Sequence, residues 1–98
     1  MEIITKDYLT SRFLSGDNLC GINLRGSDLR GIDLSSGTGR VAARLSCADL
    51  ERSDLRGSRL KEVELISANL RLANLEDSNL FGAKLTQADL SEANLRGC

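Results

Sequence analysis

The sequence predicts an all-β fold in which the chain winds into a four-sided coil with five residues per side, and three observations carry that prediction. Sixteen of the eighteen leucines fall on a five-residue grid, at Leu14, Leu19, Leu24, Leu29 and Leu34 and then at every fifth residue from Leu45 to Leu95. The residue two before a grid leucine is small or aliphatic, as at Ile22, Ser27, Ala48, Val63 and Ala88. The residue just before it is mostly Asn or Asp, and seven of the nine glycines lie two positions after it.

A period of five suits neither regular structure. On an α-helix each step advances about 500°, which spreads the leucines around the whole circumference, and on a flat strand each step reverses the face. A chain that turns a quarter after every five residues instead points each leucine, and the residue two before it, inward. Gly and Asn/Asp suit the corners, the first by tolerating positive φ and the second by capping corner backbone groups. Four repeats close one coil, and coils stack about 4.8 Å apart through backbone hydrogen bonds. Sixteen repeats then give about four coils.

Units such as Ala68-Asn69-Leu70-Arg71-Leu72, Ala73-Asn74-Leu75-Glu76-Asp77 and Ala88-Asp89-Leu90-Ser91-Glu92 resemble the pentapeptide-repeat protein family. Eleven consecutive repeats from Leu45 to Leu95 keep one register. The resemblance implies a right-handed quadrilateral parallel β-helix, of a kind common in bacteria and most abundant in cyanobacteria, with no enzymatic activity attached to the repeat. It also implies one known mode of action, since the best understood members resemble duplex DNA in shape and charge and bind type II topoisomerases such as gyrase.

Two segments depart from the pattern. Residues 1–14 do not repeat; Tyr8, Leu9 and Phe13 at helical spacing, after Thr5 as N-cap and before Gly16, predict a short helix that caps the first coil. Asp17, a carboxylate in an inward column, fits only a capped or frayed terminal coil. The repeats occupy 15–98, interrupted at 35–44, where Leu34 and Leu45 lie eleven residues apart. Read as two repeats plus one residue, this stretch predicts a bulged side or short protruding loop, with Val41 turned inward in place of the missing leucine. Insertions in solenoids often form binding loops, and Arg40 with Arg44 makes this one basic.

No covering segment follows the last repeats, so the C-terminal coil is expected to present an apolar end built from Leu80, Leu85, Leu90 and Leu95. Outward apolar residues cluster nearby at Ile66, Leu72 and Phe81. These seven residues are the predicted contact surface, for a second copy of the chain or for another protein.

Composition narrows the chemistry. The chain of 98 residues contains no His, which excludes His-based general bases, Ser-His-Asp triads and His metal sites. Cys20, Cys47 and Cys98 are odd in number and lack CxxC spacing, so they read as reduced thiols, with no disulfide framework and no zinc site. No apolar run nears membrane-spanning length and no basic leader opens the chain, which reads as a soluble cytoplasmic protein. Thirteen Lys and Arg against fourteen Asp and Glu give a net charge of −1, and neither a nucleic-acid ligand, a membrane, a cofactor, a metal nor a small-molecule substrate is expected.

Charge on the faces weighs against a DNA mimic. With the insertion counted as one side, the side of Leu14, Leu34, Leu55, Leu75 and Leu95 and that of Leu29, Leu50, Leu70 and Leu90 each sum to −2. The side of Leu24, Leu45, Leu65 and Leu85 sums to +2, as does the fourth, with Arg40, Arg59, Lys61 and Glu62. No side is an acidic stripe. The sequence therefore predicts a non-enzymatic structural or protein-interaction module, with the gyrase-directed mimic as the alternative.

Overall fold

The computed structural model describes residues 4–98, so the first three residues of the 1–14 segment lie outside it. Helix α1, Lys6–Leu14, begins at Thr5, whose side chain accepts a hydrogen bond from the Tyr8 N–H at 3.2 Å. Leu9 and Phe13 are buried and join the same apolar cluster as the grid leucines. Tyr8 stays outside, with Arg12 stacked over its ring at 5.7 Å. Lys6 Nζ donates to the Arg30 carbonyl at 2.8 Å, which ties the start of α1 to the first coil.

Beyond α1 the chain forms a ladder of isolated parallel bridges rather than long strands. Bridges pair Arg44 with Glu64, Asp49 with Asn69, Asp54 with Asn74 and Arg59 with Asn79, each 20 residues apart, so a coil is four five-residue sides. Each side spends two residues on its corner and keeps too little extended backbone for a strand. The first coil carries Leu19, Leu24, Leu29 and Leu34; the second Leu45, Leu50, Leu55 and Leu60; the third Leu65, Leu70, Leu75 and Leu80. Leu85, Leu90 and Leu95 form three sides of a fourth. Every leucine of the first two coils is at most 2% exposed, and so are Leu65, Leu70 and Leu75.

The corners divide their work between two columns. The residue two after the leucine adopts the left-handed conformation, as at Gly26 (φ 68°), Glu62 (φ 65°) and Leu72 (φ 62°). The leucine carbonyl accepts from the N–H three residues on, for instance Ile32 to Leu29 at 3.1 Å, which with the positive φ is the type II turn pattern. Asn and Asp before the leucine do not take positive φ. Their Oδ1 accepts the N–H two residues later in eleven repeats, as from Asn23 to Arg25 at 3.1 Å and from Asn79 to Phe81 at 2.9 Å.

Three expectations are corrected. Leu14 ends α1 and is 62% exposed, so it belongs to no coil and the repeats number fifteen. The insertion replaces no side: Asn23 pairs with Asp49, Asp28 with Asp54 and Asp33 with Arg59, an offset of 26 residues against 20 elsewhere, so six residues are extra and Leu45 directly follows Leu34 around the coil. Ala43 N–H takes the Leu34 carbonyl at 2.9 Å, as the residue three on does in an ordinary corner. The extra residues leave the corner as a loop closed by reciprocal Gly37–Arg40 backbone bonds, both 3.1 Å. Val41 does not turn inward; it is 77% exposed, because the core has no missing leucine to replace.

Candidate functional site

The register assembles four of the predicted contact residues into one ring. Leu85, Leu90 and Leu95 occupy three sides of the last coil, and Leu80 closes the fourth from the coil before it. Leu80, Leu85 and Leu90 are partly buried against the core, and Leu95 is 43% exposed. Phe81, 73% exposed, stands at the corner beside Leu80. Ile66 and Leu72 lie elsewhere, at two other corners of the third coil, and do not join the ring.

Along this ring the backbone ladder stops. In the upper coils the leucine N–H donates to the coil below, as Leu60 does to Asn79 at 2.8 Å, and so does the N–H two residues later, as Glu62 does to Phe81 at 2.8 Å. Among the described residues the N–H groups of Leu80, Leu85, Leu90 and Leu95 find no backbone acceptor, nor do those of Gly82, Gln87, Glu92 and Gly97. Among the described residues these donors lie beside half-covered leucines.

The corrected register also redistributes charge. The side of Leu19, Leu45, Leu65 and Leu85 carries Arg44 and Lys84 against Asp17 and Glu64, and the side of Leu34, Leu60 and Leu80 carries Arg59 and Lys61 against Asp33 and Glu62. Both are neutral. The other two sides each sum to −1, so every face is closer to neutrality than the sequence count gave. The side of Leu24, Leu50, Leu70 and Leu90 contains a network the sequence reading missed. Glu51, its side chain only 10% exposed, meets Arg25 at 3.2 Å from the coil above, Arg71 at 3.8 Å from the coil below and Arg52 beside it at 3.6 Å. Only the true register stacks residues 25, 51 and 71.

Four of the carboxylates that cap corners, Asp28, Asp33, Asp54 and Asp89, are held in their charged form. The Arg30 guanidinium, followed by the Arg30 N–H, pulls the Asp28 carboxyl down to about 2. The Arg56 guanidinium also lowers the Asp54 carboxyl, and the Ser91 hydroxyl lowers that of Asp89. At Asp33 burial pushes upward, but the Ser35 hydroxyl and N–H with Arg40 and Arg59 bring the net shift below the ordinary value. Each has a structural reason to be low, and none is poised as an acid or base near neutrality. Cys20, Cys47 and Cys98 are free and exposed. Among the described residues no group of three His, Cys, Asp or Glu could hold a metal ion, and no helix is long and apolar enough to cross a membrane.

At the other end, Asp17 turns out of its inward column to pair with Arg12 of α1. Arg40 reaches back from the loop: its Nε donates to the Ser35 carbonyl at 3.0 Å, its Nη2 lies 3.4 Å from Asp33, and its guanidinium stacks on Phe13 at 5.3 Å. The loop is thereby clasped against α1, a role that neither spacing nor composition signals.

A family model described as pentapeptide repeats matches the chain over residues 43–80 and 58–97. Among solved structures the chain is similar to the pentapeptide repeat protein Rfr23 from the cyanobacterium Cyanothece 51142, with 40% identity over 82% of this chain and 54% of that one and a TM-score of 0.43. It is similar to HetL, a pentapeptide repeat protein involved in heterocyst differentiation regulation from Nostoc sp. strain PCC 7120, at 34% identity over 79% of this chain and 38% of that one, with a TM-score of 0.44. A third, alr5209 from Nostoc PCC 7120, matches at 31% identity over 86% and 74% of the two chains, with a TM-score of 0.48. The chain thus spans about half the length of the first of these relatives. No curated protein matches it.

Proposed function

The chain belongs to the pentapeptide repeat family, whose repeats wind as a right-handed β-helix, and we propose that it is a non-enzymatic interaction module that works through its last coil, with α1 capping the opposite end. One observation carries this reading: Leu80, Leu85, Leu90 and Leu95 form a ring whose backbone donors find no partner among the described residues. Phe81 extends the ring outward, and Ile66 and Leu72 add apolar area one coil away.

A second copy is the occupant that the charges favour. Around the ring Lys84, then Asp89 and Glu92, then Arg96 alternate in sign from side to side. A two-fold mate rotated about a corner sets positive against negative, and this self-complementarity is what an isologous interface requires. The reading places the protein in a reducing, cytoplasmic setting, where the exposed thiols stay free. The alternative, a DNA-mimicking gyrase binder, would draw on a dense acidic face, and no side here exceeds −1.

Light scattering after size exclusion, in reductant, tests the reading on the native chain and on Leu95→Asp. A native dimer that becomes a monomer in the variant is the expected result. A native monomer at tens of micromolar, or a dimer indifferent to Leu95→Asp, would overturn it. Inhibition of gyrase supercoiling at micromolar protein would favour the alternative.

A further inference from the structure

The six-residue loop does more than bypass a corner. Between it and α1 lies a cavity of about 230 Å³ whose wall includes Phe13, Leu14, Val41, Arg40 and Arg44. On the loop's far side a second depression is bordered by Arg44, Glu62 and Glu64. Arg40, Val41, Ala42 and Arg44 border both, and the groove between the loop and α1 is the first of them.

Three properties set this groove apart from an ordinary solenoid surface. Leu14 and Val41, 62% and 77% exposed, are held open beside each other rather than packed. Their exposure is preorganised, because the Gly37–Arg40 bonds and the clasp of Arg40 on Ser35, Asp33 and Phe13 hold the loop in place. Finally, Arg44 makes no ion pair among the described residues, although most arginines here are paired. Asp17, the carboxylate in the cavity wall, is already taken by Arg12. The groove therefore sets two exposed aliphatic side chains beside Arg44, whose neighbour in the coil below, Glu64, meets Lys84.

We propose that this groove docks an extended segment of another protein in which an aliphatic residue stands beside a carboxylate. The aliphatic side chain fills the cavity against Leu14 and Val41, and the carboxylate pairs with Arg44. The volume falls below the roughly 300–1,000 Å³ of small-molecule sites and suits one or two side chains. A free inorganic anion would use Arg44 but leave both apolar walls wet. Little ordering cost falls on the protein side, since the loop is already fixed.

The test pans a random heptapeptide library, displayed on phage, against the immobilised full-length chain in reductant. The best clone is then synthesised with a fluorescent label and titrated by anisotropy. Selected sequences are expected to share Leu, Ile or Val next to Asp or Glu. Arg44→Glu and Val41→Asp, both at exposed positions, are expected to weaken binding at least tenfold with unchanged melting curves. Leu95→Asp is expected to bind like the native chain, which separates this site from the terminal ring. No enrichment, enrichment of peptides without an acid, equal binding by Arg44→Glu, or binding lost only in Leu95→Asp would each overturn the proposal.

Discussion

Deleting Gly37 through Ala42 is the sharpest test of how the chain is wound. The cut joins Ser36 to Ala43, and Leu34-Ser35-Ser36-Ala43-Arg44-Leu45 then has the spacing of an ordinary repeat. The Leu34 carbonyl, which now closes a nine-residue loop onto Ala43, would close the usual three-residue turn. Loop-closure entropy scales as (3/2)RT ln n, so the shorter turn is favoured by about 1 kcal/mol. Against this stand the Arg40–Phe13 contact, about 0.5–1 kcal/mol, the partly exposed Arg40–Asp33 pair at about 0–1 kcal/mol, and the partial burial of Ala42. Ser36 would have to become left-handed at a further cost of about 1 kcal/mol, which Ser36→Gly removes. The deletion carrying Ser36→Gly is expected to unfold cooperatively within about 1 kcal/mol of the native chain. That is a melting shift of no more than about 8 °C, at about 4–8 °C per kcal/mol for a chain of this size. Thermal melts followed by circular dichroism, with size exclusion to check compactness, measure it. If residues 35–44 instead formed a side of the coil, the cut would rotate Leu45 and everything after it by one side against Leu19 to Leu34. Loss of the cooperative transition would therefore refute the register.

Three further predictions follow from the packing and the corner carboxylates. Leu65 is 1% exposed between Leu45 and Leu85, and Leu65→Ala is expected to cost about 3 kcal/mol, whereas Leu95→Ala in the ring costs about 1 kcal/mol or less; equal losses on thermal melting would undo the distinction between inner and terminal coils. The Ser53 hydroxyl is buried without a partner among the described residues, while that of Ser78 donates to the Leu55 carbonyl at 2.7 Å and accepts from Ser58 at 3.1 Å. Ser53→Ala is expected to stabilise by up to about 1 kcal/mol and Ser78→Ala to destabilise by about 1–2 kcal/mol, with denaturant midpoints deciding the signs. Asp28, Asp33, Asp54 and Asp89 all titrate below their unfolded value in the folded chain. Their stabilisation is complete above an unfolded value near 4 and is lost as pH falls through each folded value, about 2 for Asp28. Asp28→Asn with Asp54→Asn keeps both caps, as Asn74 and Asn94 do in the same column, and is expected to flatten the decline in melting temperature between pH 4 and 2; an unchanged slope would count against these carboxylates as its source.

Much of the fold was legible because it is written in columns that admit few alternatives. Leucine on a five-residue grid, a small residue two before it and an Asn or Asp just before it specify an inward pair and a capped corner, and eleven such caps are present. The helix at Lys6–Leu14 was readable from Thr5, Leu9 and Phe13. What misled was arithmetic at the interruption. Eleven residues divide as five and six or as ten and one, and leucine spacing alone does not choose between them. Leucine also serves as a helix former, so its presence at position 14 carried no register information. Backbone pairing decides the matter, because only coils offset by 26 residues across the loop bring Asn23, Asp28 and Asp33 beside Asp49, Asp54 and Arg59. The ring of Leu80, Leu85, Leu90 and Leu95 survived the error, since every leucine after the loop keeps its neighbours whichever division is chosen. The network around Glu51 and the Arg40 clasp did not, because both join residues from opposite sides of the interruption or from outside the repeats.

The same columns explain where function can reside. Three of the five positions in most repeats are committed: two to the interior and one to capping the corner. The remaining two face solvent, and their charges are largely used up in ion pairs, as where Glu51 is shared among Arg25, Arg52 and Arg71 or where Arg71 meets Glu92. A surface neutralised in this way holds its coils together and offers a partner little charge. Among the described residues the leucine N–H donors of the terminal ring find no backbone acceptor, and the Arg44 side chain beside the loop makes no ion pair. Arg44 is exposed and Leu95 is only half covered, so altering either disturbs the interior far less than altering a mid-stack leucine. A loss of binding out of proportion to any change in melting is therefore the signature to seek at these two positions, and a parallel loss of both would show that they serve the fold.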